Sequence, residues 1–336
     1  MCIFTKYLNK ISTLSHYTYY RMMNLSIPIL CLFIVSCSVQ PVQSSKRVAL
    51  VIGNDYAGTP LKLESPIRDA KAMRNVLRKV GFHVFYLENA NQNEMNDALN
   101  TFVEELDEQT DGLFYFSGHG VSGAEIAQKS KMDQKSNPTK EVNYLIPNNK
   151  GIFSTTTPVK PETLIAFRDV VNKMHESKNH LNIVIIDACR SQGVKVASIE
   201  EKGLMREKGL MREVANIFYD PSKRKTFFPT NLFVGYATLP NNPAREFGNA
   251  SVYTKHLLEL IPQRGLSITN LFDQVRESVK QEYKQKRKQI RQGHEAIGEA
   301  VPELTYLQQL PEHLPLIEED FYFAGETKKT PKIDTF

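Results

Sequence analysis

The part of this 336-residue chain that reads as a folded domain has almost no cysteine. Four are present, Cys2, Cys31, Cys37 and Cys189, and the first three lie in the N-terminal stretch. A disulfide framework needs paired cysteines within the fold, so none is expected. No Cys-x-x-Cys or His-Glu-x-x-His spacing occurs, which removes the usual sequence signatures of zinc. No compact acidic loop of EF-hand kind speaks for calcium. The residues therefore imply neither a metal site nor a cofactor. Basic blocks are scarce too. The formal charge is +5, and the one dense run is KQKRKQIR at 284–291. That run reads as the solvated face of a helix, with a phosphate-binding face as the sharper alternative, and nucleic acid is not an expected partner. Long apolar runs are also missing. NLSIPILCLFIVS at 24–36 is shorter than the roughly 20 residues a membrane helix needs.

What that run does match is the apolar segment of a targeting sequence. Lys6, Lys10 and Arg21 precede it, and the first 36 residues hold no acidic side chain. It ends Ile34-Val35-Ser36-Cys37, which resembles a bacterial lipoprotein signal. The resemblance implies removal of residues 1–36, a lipid on Cys37 as the membrane anchor, and a place in the bacterial cell envelope on the periplasmic side. An ordinary signal peptide, with Cys37 incidental and the protein secreted, is the alternative. Residues 37–46 read as a flexible tether and 326–336 as a C-terminal tail.

From Arg47 onward strands and helices alternate. RVALVIGN, FHVFYLEN, GLFYFSG, LNIVIIDA and NLFVGYAT read as strands, with DFYFAG as a last short one. Between them lie helical stretches: one opened by Ser65 and Pro66 and stopped by Gly81, then NEMNDALNTFVEEL, PETLIAFRDVVNKMHES, SVYTKHLLELI and ITNLFDQVRESVKQEYKQ. The order βαβαβ…αβ predicts an α/β domain with a largely parallel sheet and helices on both faces. Two polar segments, 122–142 and 195–230, read as inserted loops, the second carrying EKGLMR twice in tandem.

In an open α/β sheet the ligand sits beyond the carboxyl ends of the strands. Two strands end there in reactive residues. One runs into Ser117-Gly118-His119-Gly120, the other into Asp187-Ala188-Cys189-Arg190. Imidazole exchanges protons near neutrality, and a thiolate is a strong nucleophile. Cys189 alone is as compatible with a small buried hydrophobe. With His119 at the same sheet edge, the pair reads as a catalytic dyad.

ALVIGN, IRDAKAMRNVLRKVGF, LFYFSGHG, NYLIP, IVIIDACR, FVGYAT and YTKHLL together resemble the caspase-like domain of bacterial orthocaspases and metacaspases, over residues 47–325. The resemblance implies a three-layer α/β/α sandwich around a central sheet of about six strands, and a cysteine endopeptidase. Cys189 would be the nucleophile and His119 the acid and base. The backbone N–H groups of Gly120 and Cys189 would form the oxyanion hole. Asp187 and Asp69 match acidic pocket positions of metacaspase-like proteins, which implies cleavage after Arg or Lys of a peptide or protein substrate. Some metacaspases need calcium. A chain that kept the fold as a silent binding scaffold is the alternative. Lys202, Arg206, Lys208, Arg212, Lys223, Arg224 and Lys225 offer sites of self-cleavage after the nucleophile. The sequence leaves the oligomeric state open.

Overall fold

The structure, a computed structural model, describes residues 45–59, 61–122, 143–149, 160–188, 210–237, 250–296 and 310–326. Cys37 and Cys189 lie outside the described residues, as do the tandem hexapeptides apart from the last three residues of the second copy.

In chain order the elements are β1 (Lys46–Gly53), α1 (Pro66–Lys79), β2 (His83–Glu88), α2 (Gln92–Glu104), β3 (Thr110–Gly118), β4 (Gly120–Ser122), β5 (Asn143–Leu145), β6 (Ile165–Ala166), α3 (Phe167–Glu176), β7 (Leu181–Ala188), α4 (Leu210–Ile217), β8 (Tyr219–Asp220), β9 (Lys225–Thr226), β10 (Asn231–Tyr236), α5 (Val252–Leu260), α6 (Ile268–Ala296) and β11 (Glu312–Ile317). The main sheet has six strands in the order β2-β1-β3-β7-β10-β11. All its pairs are parallel except β10 with β11, which is antiparallel. β4, β5 and β6 form a small separate sheet.

The strands are apolar on both faces because both are covered. Ala49, Val51, Leu113, Tyr115, Ile183 and Ile185 pack with α1, α5 and α6 in one core cluster. Val48, Leu50, Ile52, Phe114, Phe116, Val184 and Ile186 pack with α2, α3 and α4 in the other. Alternate residues of one strand thus feed opposite cores, as the period of two requires. The result is the expected α/β/α sandwich.

Strand order reverses between β1 and β3, since β2 continues on one side of β1 and β7 on the other side of β3. Such a switch point opens a crevice at the carboxyl ends of the two strands. Position 53, the last of β1, takes glycine because a Cβ there would come within 2.6 Å of the Pro66 carbonyl oxygen, where α1 packs against the strand.

Four local expectations are revised. Ser65 makes no side-chain cap to α1, although Gly81 (φ 94°) does follow the helix end as expected. PETLIAFRDVVNKMHES is not one helix. Pro161–Thr163 is a 3-10 turn, Ile165–Ala166 is strand β6, and only Phe167–Glu176 is α-helical. Part of the 195–230 segment is regular structure: α4 places Leu210 and Val214 in the core, and β8 and β9 form a hairpin. The sheet's last strand is Glu312–Ile317, not DFYFAG. Phe321 and Phe323 are buried, and the Arg47 guanidinium stacks over Phe321 and donates to the carbonyls of Tyr322 and Phe323. This segment is also held through its backbone: Ile268 N–H donates to the Phe321 carbonyl, Gly265 N–H to the Gly325 carbonyl, and Tyr322 forms an isolated bridge with Ser267.

Candidate active site

β3 and β7 are neighbours, and their register pairs Ser117 with Asp187 and Gly118 with Ala188. His119 is the residue that follows Gly118, and Cys189 follows Ala188 in the chain. The rung that pairs Gly118 with Ala188 thus immediately precedes both candidate residues in the chain. Cys189 itself is outside the described residues.

His119 is 8 % exposed and held from three sides. Its Nε2 lies 2.7 Å from the carbonyl oxygen of Leu61. A carbonyl only accepts, so Nε2 carries the proton. In the neutral ring Nδ1 is then the basic nitrogen, and the tautomer is set by this contact. The Tyr56 ring packs against the imidazole at 4.7 Å between centroids, tilted by 34°. The third hold is on the backbone. His119 N–H donates to the Tyr56 hydroxyl at 2.9 Å, and that hydroxyl donates to the Ile146 carbonyl at 2.7 Å. Burial pushes the Tyr56 phenol far above its ordinary range, so it remains a hydroxyl.

Both partners come from the loop after β1. Tyr56 has φ 56°, a left-handed conformation costly for an aromatic residue. Its carbonyl accepts from Thr59 N–H and from the Thr59 hydroxyl, and the same hydroxyl accepts from Leu61 N–H. This tight turn brings the Leu61 carbonyl back to the histidine. Asn54, fully buried, anchors the base of the loop by donating to the Ala90 carbonyl and accepting from Ala90 N–H. Gly118 is required by close approach rather than by a left-handed turn. A Cβ there would lie 2.8 Å from the Tyr56 hydroxyl and 2.8 Å from the Phe116 ring. Gly120 opens β4, opposite Leu145 of β5.

The two acidic candidates are both buried, Asp69 at 1 % and Asp187 at 5 % exposure. Asp69, on α1, accepts from Ser251 N–H at 3.3 and 3.2 Å. Asp187, on β7, accepts from the Thr254 hydroxyl at 2.6 Å. Ser251 and Thr254 belong to the first turn of α5, so one helix end holds both carboxylates. Tyr115, from β3, reaches Thr254 at 2.6 Å. Its phenol is raised well above the usual value, first by burial and then by the charges of Asp187 and Asp69. The structure thus gathers His119, Gly120, Asp69 and Asp187 at one end of the sheet.

Sequence reasoning missed Leu61, Tyr56, Ser251 and Thr254. Leu61 acts through its carbonyl, which no side-chain motif encodes. Tyr56 and Thr254 had a weak signal, lying within or beside the quoted stretches ALVIGN and YTKHLL.

Comparison with known proteins bears on the family and the fold. The model of the caspase domain, a peptidase family, matches residues 46–297. The chain is 25% identical over 244 residues to the human mucosa-associated lymphoid tissue lymphoma translocation protein 1, covering 71% of this chain and 24% of that protein. Its mouse homolog is 24% identical over 243 residues, again 71% and 24%. The chain therefore spans about a quarter of the length of the curated relatives it matches. Among solved structures, caspase-1 from Spodoptera frugiperda superposes with a TM-score of 0.52 at 14% identity, covering 85% of this chain and 92% of that one.

Proposed function

Since the chain belongs to the caspase-domain family and is a cysteine-type peptidase, we propose that it is an endopeptidase working through Cys189 and His119 and cutting after Arg or Lys. The observation that carries this reading is the paired rung of Gly118 with Ala188, the residues that immediately precede His119 and Cys189 in the chain. The bound tautomer of His119 supports it further, since a ring protonated at Nε2 and basic at Nδ1 is ready to take a proton.

In this reading the Cys189 thiol gives its proton to His119, and the sulfur bonds to the scissile carbonyl carbon. The imidazolium then protonates the departing amine as the C–N bond breaks, leaving a thioester. Water gives a proton back to His119, its oxygen replaces the sulfur, and the thiol is restored. The N–H groups of Gly120 and Cys189 would hold the negative oxygen, each donor of this kind contributing roughly 2.7–4 kcal/mol. A basic side chain before the scissile bond is supported by two buried carboxylates, Asp69 and Asp187, whose charges a guanidinium or ammonium would neutralise. The orthocaspase or metacaspase character rests on the quoted motifs. Lipidation at Cys37, anchoring to a bacterial envelope membrane, rests on the N-terminal sequence.

The test is turnover of matched fluorogenic peptides with Arg, Lys or Asp before the scissile bond, with and without calcium, beside Cys189→Ala. Cleavage after Arg and Lys that the substitution abolishes is the expected result. Equal or better cleavage after Asp overturns the specificity. Absence of turnover under every condition favours a silent scaffold. Labelling with a radioactive fatty acid, lost in Cys37→Ala, tests the anchor.

A further inference from the structure

The first turn of α5 does more than end a loop. Ser251 is its N-cap, accepting from Thr254 N–H at 3.3 Å, while Ser251 N–H points at the Asp69 carboxylate. Three residues on, the Thr254 hydroxyl meets Asp187 and Tyr115, each at 2.6 Å. A threonine hydroxyl has one proton. A carboxylate can only accept, so that proton goes to Asp187, and Tyr115 must then donate to Thr254. The direction of the whole chain, Tyr115 to Thr254 to Asp187, is thereby determined. Tyr115 and Thr254 are both fully buried, so water cannot substitute for either contact. The raised phenol of Tyr115 keeps it a donor.

Such a chain orients one carboxylate of the acidic pair. We propose that Thr254 is a positioning residue for specificity, holding Asp187 so that the site prefers arginine to lysine before the scissile bond. The proposal rests on the basic specificity given under Proposed function. A guanidinium is a planar fork and rewards a carboxylate held at one angle, whereas an ammonium is a point charge that follows a rotating one. Loosening Asp187 therefore costs arginine more than lysine. The residue acts through Asp187, so its effect belongs in substrate binding rather than in the chemical step.

The experiment compares kcat and KM for matched Arg and Lys peptides in the wild type, Thr254→Val, Thr254→Ser and Tyr115→Phe, with competitive inhibition by benzamidine as a readout of the pocket alone. Thr254→Val keeps the shape and removes the hydroxyl. It should raise KM for the Arg peptide on the order of tenfold with kcat within about twofold, weaken benzamidine similarly, and lower the Arg/Lys ratio several-fold. Thr254→Ser should restore the ratio, and Tyr115→Phe should lower it in the same direction by less. An unchanged Arg/Lys ratio in Thr254→Val overturns the proposal, as does an equal loss of kcat on both peptides. Where Thr254→Val does not fold, an unchanged ratio in Tyr115→Phe overturns it. A wild type that cuts after neither basic residue sinks the underlying specificity instead, so the two failures are distinct.

Discussion

Replacing Tyr56 with phenylalanine removes one oxygen and keeps the ring packed against His119. The lost hydroxyl bridges His119 N–H at 2.9 Å and the Ile146 carbonyl at 2.7 Å. The Ile146 carbonyl keeps a donor, the Asn54 side-chain amide at 3.4 Å. His119 N–H is deprived of the hydroxyl in a buried site, and an unsatisfied buried donor costs about 1–3 kcal/mol. The void left by one oxygen is small, so a total near 2 kcal/mol is expected. Urea denaturation should show this as a lower midpoint with an unchanged slope. Catalysis should suffer as well, because the backbone that carries the imidazole loses its hold. Misplacement by about 1 Å can cost up to a hundredfold, so a drop in kcat/KM of about tenfold is expected on an Arg peptide. The shape of the pH profile should not change, since burial lifts the Tyr56 phenol out of the assay range. A stability loss under about 0.5 kcal/mol together with unaltered kcat/KM would refute the reasoning.

Three further outcomes are expected. Gly118→Ala puts a methyl group 2.8 Å from the Tyr56 hydroxyl and should destabilise by roughly 1–3 kcal/mol; combined with Tyr56→Phe, which relieves part of that clash, the measured loss should be less than the sum of the two. His313 stacks on Phe233, and burial, outweighing Asp273, lowers its pKa below 6.5. The folded state thus binds this proton less readily than the unfolded state, so its contribution is complete above the unfolded value and is lost as pH falls below it; His313→Gln should flatten the stability decline below about pH 6.5, and an identical slope in both proteins would contradict this. Any self-cleavage between β7 and β10 should not fall after Lys223, Arg224 or Lys225. These three cluster at the β8–β9 hairpin, closed by Asp220 accepting from Ser222 and Lys223, whereas proteases bind extended chain. Mass spectrometry of protein incubated beside Cys189→Ala reads the cut sites.

The core strands were legible because parallel strands buried on both faces must be almost wholly apolar, and VALVIG, GLFYF and IVIIDA have that character whatever surrounds them. Helices α1, α5 and α6 were legible from their apolar spacing. Others were not, β11, α4 and β6 among them. β11 contains Pro315, which argues against a strand unless the strand is an edge, and only the assembled sheet reveals that it is one. α4 follows a long polar stretch and gains its place by burying Leu210 and Val214. β6 is two residues long and pairs only because Leu145 and Tyr144 arrive beside it.

The division is sharpest at the active end. Sequence alone determined that an imidazole and a thiol each follow an apolar strand, because strand character and the residue after it are local properties. The rule that ligands bind at strand carboxyl ends then placed both at one edge. Tertiary structure decided the proton position on His119, through a carbonyl 58 residues earlier in the chain. It also decided the hold on Asp187, through a hydroxyl 67 residues later. Backbone carbonyls and buried hydroxyls carry no spacing signal. Their meaning comes from the direction in which the packed chain aims them, and that direction exists only once the sheet has brought β1, β3, β7 and α5 to the same crevice.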